Sequence, residues 1–214
     1  LAAQAQVVGL RGGFSIDLGT RKRDGTEWDL GDDLDIARVR TMQDDEDPYL
    51  LTGSPPCEAF SNLQNLNKGK VDPAVRQRRL KQGRKHLQTS VMFYRTQMER
   101  GRYFLHEHPQ SASSWYEEEI KDLQEAEGVY CVEGPMCRWH MKSTDAQGEG
   151  YVRKQTKWLT NSKVLAEILE GECSNKKGNT WHRHVQLING RASEAKVYPP
   201  MLVKAILQGI RKQL

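Results

Sequence analysis

Cys57 and Glu107 are the residues whose types and settings suggest chemistry. Cys57 closes the turn Gly53-Ser54-Pro55-Pro56-Cys57, directly after the apolar run Tyr49, Leu50, Leu51. Pro48 cannot donate a ladder hydrogen bond and marks a strand start, while Gly53 and the proline pair end that strand. The pattern predicts a strand over 49–52 with Cys57 beyond its carboxyl end, where open α/β sheets hold their ligands. A second strand is predicted over 103–106, and Glu107-His108-Pro109 forms a polar cluster at its end. A thiol and a carboxylate after successive strands of one βαβ unit meet at one sheet edge, as nucleophile and acid partner. The bland alternative makes Cys57 a small buried hydrophobe and Glu107 a solvated strand end.

The elements that must position these residues follow from patterning. Residues 1–8 read as the end of a helix stopped at Gly9, 14–18 as a strand carrying Asp17, and 28–30 as a short strand carrying Asp29. A modest helix is predicted over 35–42. Asp72 and Pro73 make an N-cap and first-turn pair for a long helix to about Arg100, stopped at Gly101. Ser114 with Glu117 makes a capping box for a helix to Gly128, followed by a strand over 129–132. Residues 134–150 read as loop, 152–160 as strand, 162–170 as helix, 171–180 as loop and 181–188 as strand, and Pro199-Pro200 opens a last helix to about Arg211. This alternation, without internal repeats, predicts one α/β domain over residues 1–214 with a largely parallel sheet.

Lys and Arg number 32 against 28 Asp and Glu, a net charge of +4, and the 37% hydrophobic residues fall in short bounded runs, which argues against global disorder. Arg76, Arg78, Arg79, Lys81, Arg84 and Lys85 crowd one stretch of the long helix, either a solvated face or a site for an anionic partner. Cys57, Cys131, Cys137 and Cys173, with no apolar leader, do not make a disulfide scaffold, so an intracellular location is expected. No apolar run approaches the roughly 20 residues needed to span a bilayer, so a soluble protein without a membrane partner is expected. Leu1 stands where a methionine would begin a full chain, which suggests a piece of a longer polypeptide.

The run Gly53-Ser54-Pro55-Pro56-Cys57-Glu58-Ala59-Phe60-Ser61 resembles the Pro-Cys nucleophile motif of the DNA cytosine-5 methyltransferases, down to the Phe-Ser. Glu107-His108-Pro109 is similar to their Glu-Asn-Val or Glu-Asn-Pro motif. Val197-Tyr198-Pro199-Pro200-Met201-Leu202 with Ala205-Ile206 looks like their closing motif, in which a Pro-Pro helix start packs back on the cofactor side. The resemblance covers most of the chain and extends to methyltransferase-like segments inside retroelement polyproteins.

The resemblance implies a Rossmann-like S-adenosylmethionine-dependent methyltransferase sheet with helices on both faces. In that mechanism Cys57 adds to C6 of cytosine, Glu107 holds the protonated N3, and C5 takes the methyl group of S-adenosylmethionine. The base must be flipped, with phosphates on the basic helix face. DNA is the implied partner, with RNA open, and the nucleus is the implied location in a eukaryote. Asp17 and Asp29 match the acids that hold the cofactor's ribose and adenine, and Pro55 joins that set. Arg153-Lys154-Gln155-Thr156-Lys157 replaces the family's Gln-x-Arg-x-Arg, leaving Lys154 and Thr156 on one strand face for base support. His108 replaces an asparagine, the Gly-Asn before the final helix is absent, and no large DNA-reading insert is present. Reading Ile16-Asp17-Leu18-Gly19-Thr20 as the glycine-rich first motif fails on spacing. Cys57 follows Asp17 by only 40 positions, where two βαβ units need about 60. The first strand and its glycine loop are therefore expected upstream of Leu1, or lost.

Two other classes compete. A catalytically inactive nucleic-acid-binding module of a retroelement polyprotein would keep the fold and the basic face. A thiol hydrolase pairing Cys57 with a histidine is disfavoured by the proline-rich turn and the lack of a helix N-terminus at Cys57. Cys173, His182 and His184, with Cys137 or His140, form a weak zinc set lacking Cys-x-x-Cys or His-x-x-x-His spacing, and no metal is expected. Trp115, Trp139, Trp158 and Trp181 are expected in the core or a lid.

Overall fold

Apolar residues that alternate along two central strands set the layers of the molecule. The computed structural model describes residues 1–17, 20–61, 71–175, 182–188, 191–192 and 194–214. After a 3-10 turn over Ala2–Val8 come α1 (Asp33–Glu46), β1 (Leu50–Gly53), α2 (Pro73–Glu99), β2 (Tyr103–Pro109), α3 (Glu118–Gln124), β3 (Tyr130–Pro135), β4 (Lys142–Asp145), β5 (Gly148–Tyr151), β6 (Gln155–Thr160), α4 (Lys163–Leu169) and α5 (Pro200–Arg211). The main sheet has the order β1-β2-β6-β3, and β4 and β5 pair as a separate hairpin. β1 and β2 are parallel, whereas β6 runs antiparallel to both β2 and β3. The sheet is therefore mixed rather than largely parallel, because the β4-β5 hairpin turns the chain back before β6.

Side chains alternate across the strands, so each face receives its own core. Phe104 and Leu159 pack with Leu87, Val91 and Tyr94 of α2 and Ile120 and Leu123 of α3. Leu105 and Trp158 pack on the other side with Leu165 and Leu169 of α4 and Leu202, Ile206 and Ile210 of α5. Helices thus cover both faces. Each such fully buried leucine or isoleucine contributes about 1.5–3 kcal/mol, which holds the short strands in register.

The ends of α2 and the start of α4 obey their local signals. The Asp72 side chain accepts from the Ala74 amide ahead of Pro73, and Gly101 adopts φ 63 just past the end of α2. Ser162 Oγ accepts from the Leu165 amide to open α4. The Ser114/Glu117 capping box does not form: Ser114 Oγ bonds His108, and the Glu117 carboxylate takes Arg84. Residues 113–116 instead make a 3-10 turn before α3.

Three predicted strands are absent. Residues 14–17 form no strand, and Leu18 lies outside the described residues. Residues 28–30 are irregular because the buried Asp35 carboxylate draws them in, accepting from the Asp29 amide at 2.9 Å and pairing with Lys22 at 2.7 Å. Of 182–188, only His184 makes a ladder contact, a single bridge to Tyr151, and Trp181 lies outside the described residues. The predicted loop 134–150 instead contains the β4-β5 hairpin. No helix among the described residues is long and apolar enough to cross a membrane.

Candidate functional site

β1 stops at Gly53, opposite His106, while β2 continues for three more residues. Glu107-His108-Pro109 is therefore part of the strand, paired with β6, rather than a cluster beyond its end. The turn that carries Cys57 runs alongside this overhang. His108 Nε2 donates to the Pro55 carbonyl at 2.8 Å, and His108 Nδ1 lies 2.6 Å from Ser114 Oγ. A neutral ring protonated at Nε2 satisfies both contacts, with the Ser114 hydroxyl donating to Nδ1. Burial lowers the His108 pKa, which keeps it in that neutral form. Gly53 allows the close approach of α2 beneath: a Cβ there would stand 2.0 Å from Tyr94 Oη, and that hydroxyl lies 3.1 Å from His106 Nδ1.

The opposite face of β2 presents Glu107, which is 6% exposed. Its Oε1 lies 3.3 Å from Lys154 Nζ, an ion-pair distance, yet the ammonium is not aligned to donate, and Oε1 accepts no hydrogen bond among the described residues. Lys154 Nζ donates instead to the Ala195 carbonyl at 3.2 Å. Cys57 is half-buried just before the 3-10 turn Glu58–Phe60. Burial raises its thiol pKa, the Glu107 charge raises it further, and Lys154 acts in the opposite direction. Cys57, Glu107 and Lys154 thus form one electrostatic unit at the edge where β1 ends. Trp158, the ladder partner of Glu107, holds a buried indole N–H without a hydrogen-bond partner.

The segment before α5 closes over this edge. Tyr198 Oη bonds Ser54 Oγ at 2.7 Å, its ring packs edge-on to Trp158 at 5.8 Å, and Lys196 pairs with Glu58 at 3.3 Å. Burial raises the Tyr198 pKa well above its usual value, with Glu107 adding to the effect, so the phenol stays protonated.

The remaining sequence-derived site residues are distributed as follows. Thr156 is fully buried and donates to the Lys154 carbonyl at 3.1 Å, so it shapes the entry to β6. Asp17 and Asp29 precede α1 on exposed, irregular backbone, and Asp29 Oδ1 accepts from the Gly31 amide. Pro55 lies in the Cys57 turn, with its carbonyl taken by His108. Arg84 pairs with Glu117 and Lys85 with Asp33, which leaves Arg76, Arg78, Arg79 and Lys81 exposed and without an ion pair among the described residues. His108, Tyr198 and Ser114 are positioning residues not singled out by their types. Trp115 and Trp158 are buried in the core, and Trp139 packs against it.

Away from this edge, the sulfurs of Cys137 and Cys173 and ring nitrogens of His182 and His184 lie within 4.8 Å of one another. His140 stands apart from them, its ring packed on Tyr151.

Fold and site together define a mixed α/β protein with a cysteine and a buried carboxylate at one sheet edge. Compared with known proteins, the chain matches no family model, no curated protein and no solved structure.

Proposed function

We propose that this chain is a cytosine-5 methyltransferase-like domain on a Rossmann-like sheet, and that its Cys57 edge captures a cytosine extruded from DNA. The observation that carries this reading is the buried Glu107 Oε1 atom, which accepts no hydrogen bond among the described residues and belongs to the carboxylate whose charge acts on the Cys57 thiol. A protonated cytosine N3 is a donor of the kind that this oxygen lacks. As the Cys57 sulfur bonds to C6, the C5–C6 π bond opens, and its electron pair spreads over C5 and the ring toward N3. The proton lost by the thiol is taken up at N3 as the ring electrons arrive there, so charge balances, and the Glu107 carboxylate accepts a hydrogen bond from the new N3–H. Lys154 stands at ion-pair distance from Glu107, Tyr198 closes the turn from above, and His108 holds the turn from the other face.

The resemblance names S-adenosylmethionine as the methyl donor, which would supply an electrophilic methyl group. The described residues do not fit it: Asp17 and Asp29 are not on strands, and residues 1–17 and 20–32 contribute no strand to the sheet. The chain's own residues therefore account for capture of the base and not for methyl delivery. This favours, as a second reading, a nucleic-acid-binding module without turnover.

Reversible addition of Cys57 makes C5 basic, so it can take a proton from water and then lose either hydrogen as the sulfur leaves. An oligonucleotide deuterated at cytosine C5 should therefore lose label in the presence of the protein alone. Cys57→Ser should abolish the loss, and Glu107→Gln should slow it by about 10²-fold or more, the scale of one transition-state hydrogen-bonding group. Binding without exchange, unaffected by Cys57→Ser, would leave the binding module as the function.

A further inference from the structure

Four side chains outside the Cys57 edge converge from three separate segments. Cys137 is buried in the 3-10 turn Met136–Trp139 after β3, Cys173 lies in the irregular segment after α4, and His184 makes the single bridge to Tyr151, with His182 just before it in the chain. Cys173 Sγ stands 3.4 Å from His182 Nε2 and 3.5 Å from His184 Nε2, and the two Nε2 atoms are 2.9 Å apart.

From these positions we propose that Cys137, Cys173, His182 and His184 form a structural zinc site. A tetrahedral zinc with Zn–S of ~2.3 Å and Zn–N of ~2.0–2.1 Å sets sulfur-to-nitrogen edges of about 3.6 Å and a nitrogen-to-nitrogen edge of about 3.3 Å. The three edges among Cys173, His182 and His184, 3.4, 3.5 and 2.9 Å, are close to these or a little shorter, and Cys137 Sγ lies within 4.8 Å of the other three atoms. Two thiolates and two neutral imidazoles balance the dication, and loading releases the two thiol protons. This soft, four-donor set leaves no open position, so the ion holds structure and does no chemistry.

The surroundings supply the outer contacts that such a site needs. The Asn175 amide points at Cys173 Sγ at 3.4 Å, while the Asn175 side chain donates to the His182 carbonyl at 2.8 Å and accepts from its amide at 3.3 Å. Regular structure fixes these segments only in part: residues 171–175 carry none, and 182–188 make one ladder contact, supported by the Arg183–Asp145 ion pair at 2.7 Å. The ion takes the place of the strand that the sequence pattern suggests for 181–188. His184, Val185, Gln186 and Leu187 also line a groove with Arg153 and Lys154, so the metal would set one wall of a groove that the lysine beside Glu107 also lines.

Zinc content of the full chain tests the proposal. About one zinc per chain should survive extensive dialysis. Cobalt substitution should give the ligand-field absorption of a tetrahedral ion with thiolate-to-cobalt charge transfer. Cys173→Ser and His184→Ala should each weaken zinc binding at least tenfold, whereas Cys131→Ser, at an exposed thiol on β3, should leave it unchanged. A folded chain that takes up no zinc or cobalt would overturn the site in favour of a metal-free hydrogen-bonded cluster, and so would full stoichiometry in both variants. Should the variants fail to fold, the cobalt spectrum of the unaltered chain decides: a spectrum without thiolate charge transfer refutes the site.

Discussion

Two histidines on one face of β2 carry the underside of the Cys57 turn, and both are buried in the neutral form. His106 is fully buried, and its pKa falls well below 6.5, first through burial and then through the nearby His108. Below the unfolded pKa of about 6.5, the unfolded chain binds protons that the folded chain does not, so stability rises with pH and is lost as pH falls. The slope approaches about 1.4 kcal/mol per pH unit for each such histidine once the unfolded ring is charged. The urea midpoint should therefore drop between about pH 7 and about pH 5.5, before most carboxylates titrate. His106→Gln keeps a hydrogen-bonding partner for Tyr94 and should remove part of that slope. An equal slope in the variant would mean that His106 is not what titrates. Local patterning does not reveal this pair, because His106 and Glu107-His108 read as the polar end of a strand. Their burial depends on Tyr94, Ser114 and the Pro55 carbonyl, which come from elsewhere in the chain.

At the scale of elements, the helix caps were legible because a cap is a local event: Asp72-Pro73, Ser162 and Pro199-Pro200 each stand where a helix begins. Strands were legible only where a partner edge exists. Residues 14–17 and 28–30 have strand-like composition and no neighbour to pair with, whereas the β4-β5 hairpin was missed although Asp145-Ala146-Gln147-Gly148 has turn chemistry. Asp145 Oδ1 accepts from the Gln147 amide at 2.9 Å, and Gly148 takes φ 101. The Cys57 and Glu107 edge was foreseen from two motifs, but the lysine beside Glu107 owes its place to β6 lying next to β2. The six basic residues of α2 divide in a way that composition cannot show, since Arg84 and Lys85 already hold acidic partners. Replacing Arg76, Arg78, Arg79 or Lys81 by Gln should weaken DNA binding across all sequences and lower the salt slope by about one for each phosphate no longer neutralised. Arg84→Gln should change binding less and instead loosen α3, an ordering that a salt titration of each variant checks. Equal losses at all six positions would show that the ion pairs open on binding.

At the scale of the whole molecule, the residues proposed for base capture and those implied for the cofactor part company. The sheet edge assembles Cys57, Glu107 and Lys154, but the two acids implied for the cofactor, Asp17 and Asp29, remain outside the sheet. S-adenosylmethionine is therefore expected to bind the 214-residue chain weakly or not at all. Micromolar affinity by calorimetry would show that these acids reach the cleft after all.

β6 lies between β2 and β3 but is synthesised after both. Until Thr160 has left the ribosome, the sheet lacks its middle, and β2 and β3 each expose an edge whose amides and carbonyls wait for the same strand. The nascent chain therefore passes through a period in which these two strand edges are ready to pair with the wrong partner. A chain divided between Ala146 and Gln147 should make this visible. The first fragment alone is expected to aggregate, and co-expression with the second should rescue it by delivering the missing middle strand in trans. A first fragment that stays soluble alone would mean that the open edges are shielded in another way.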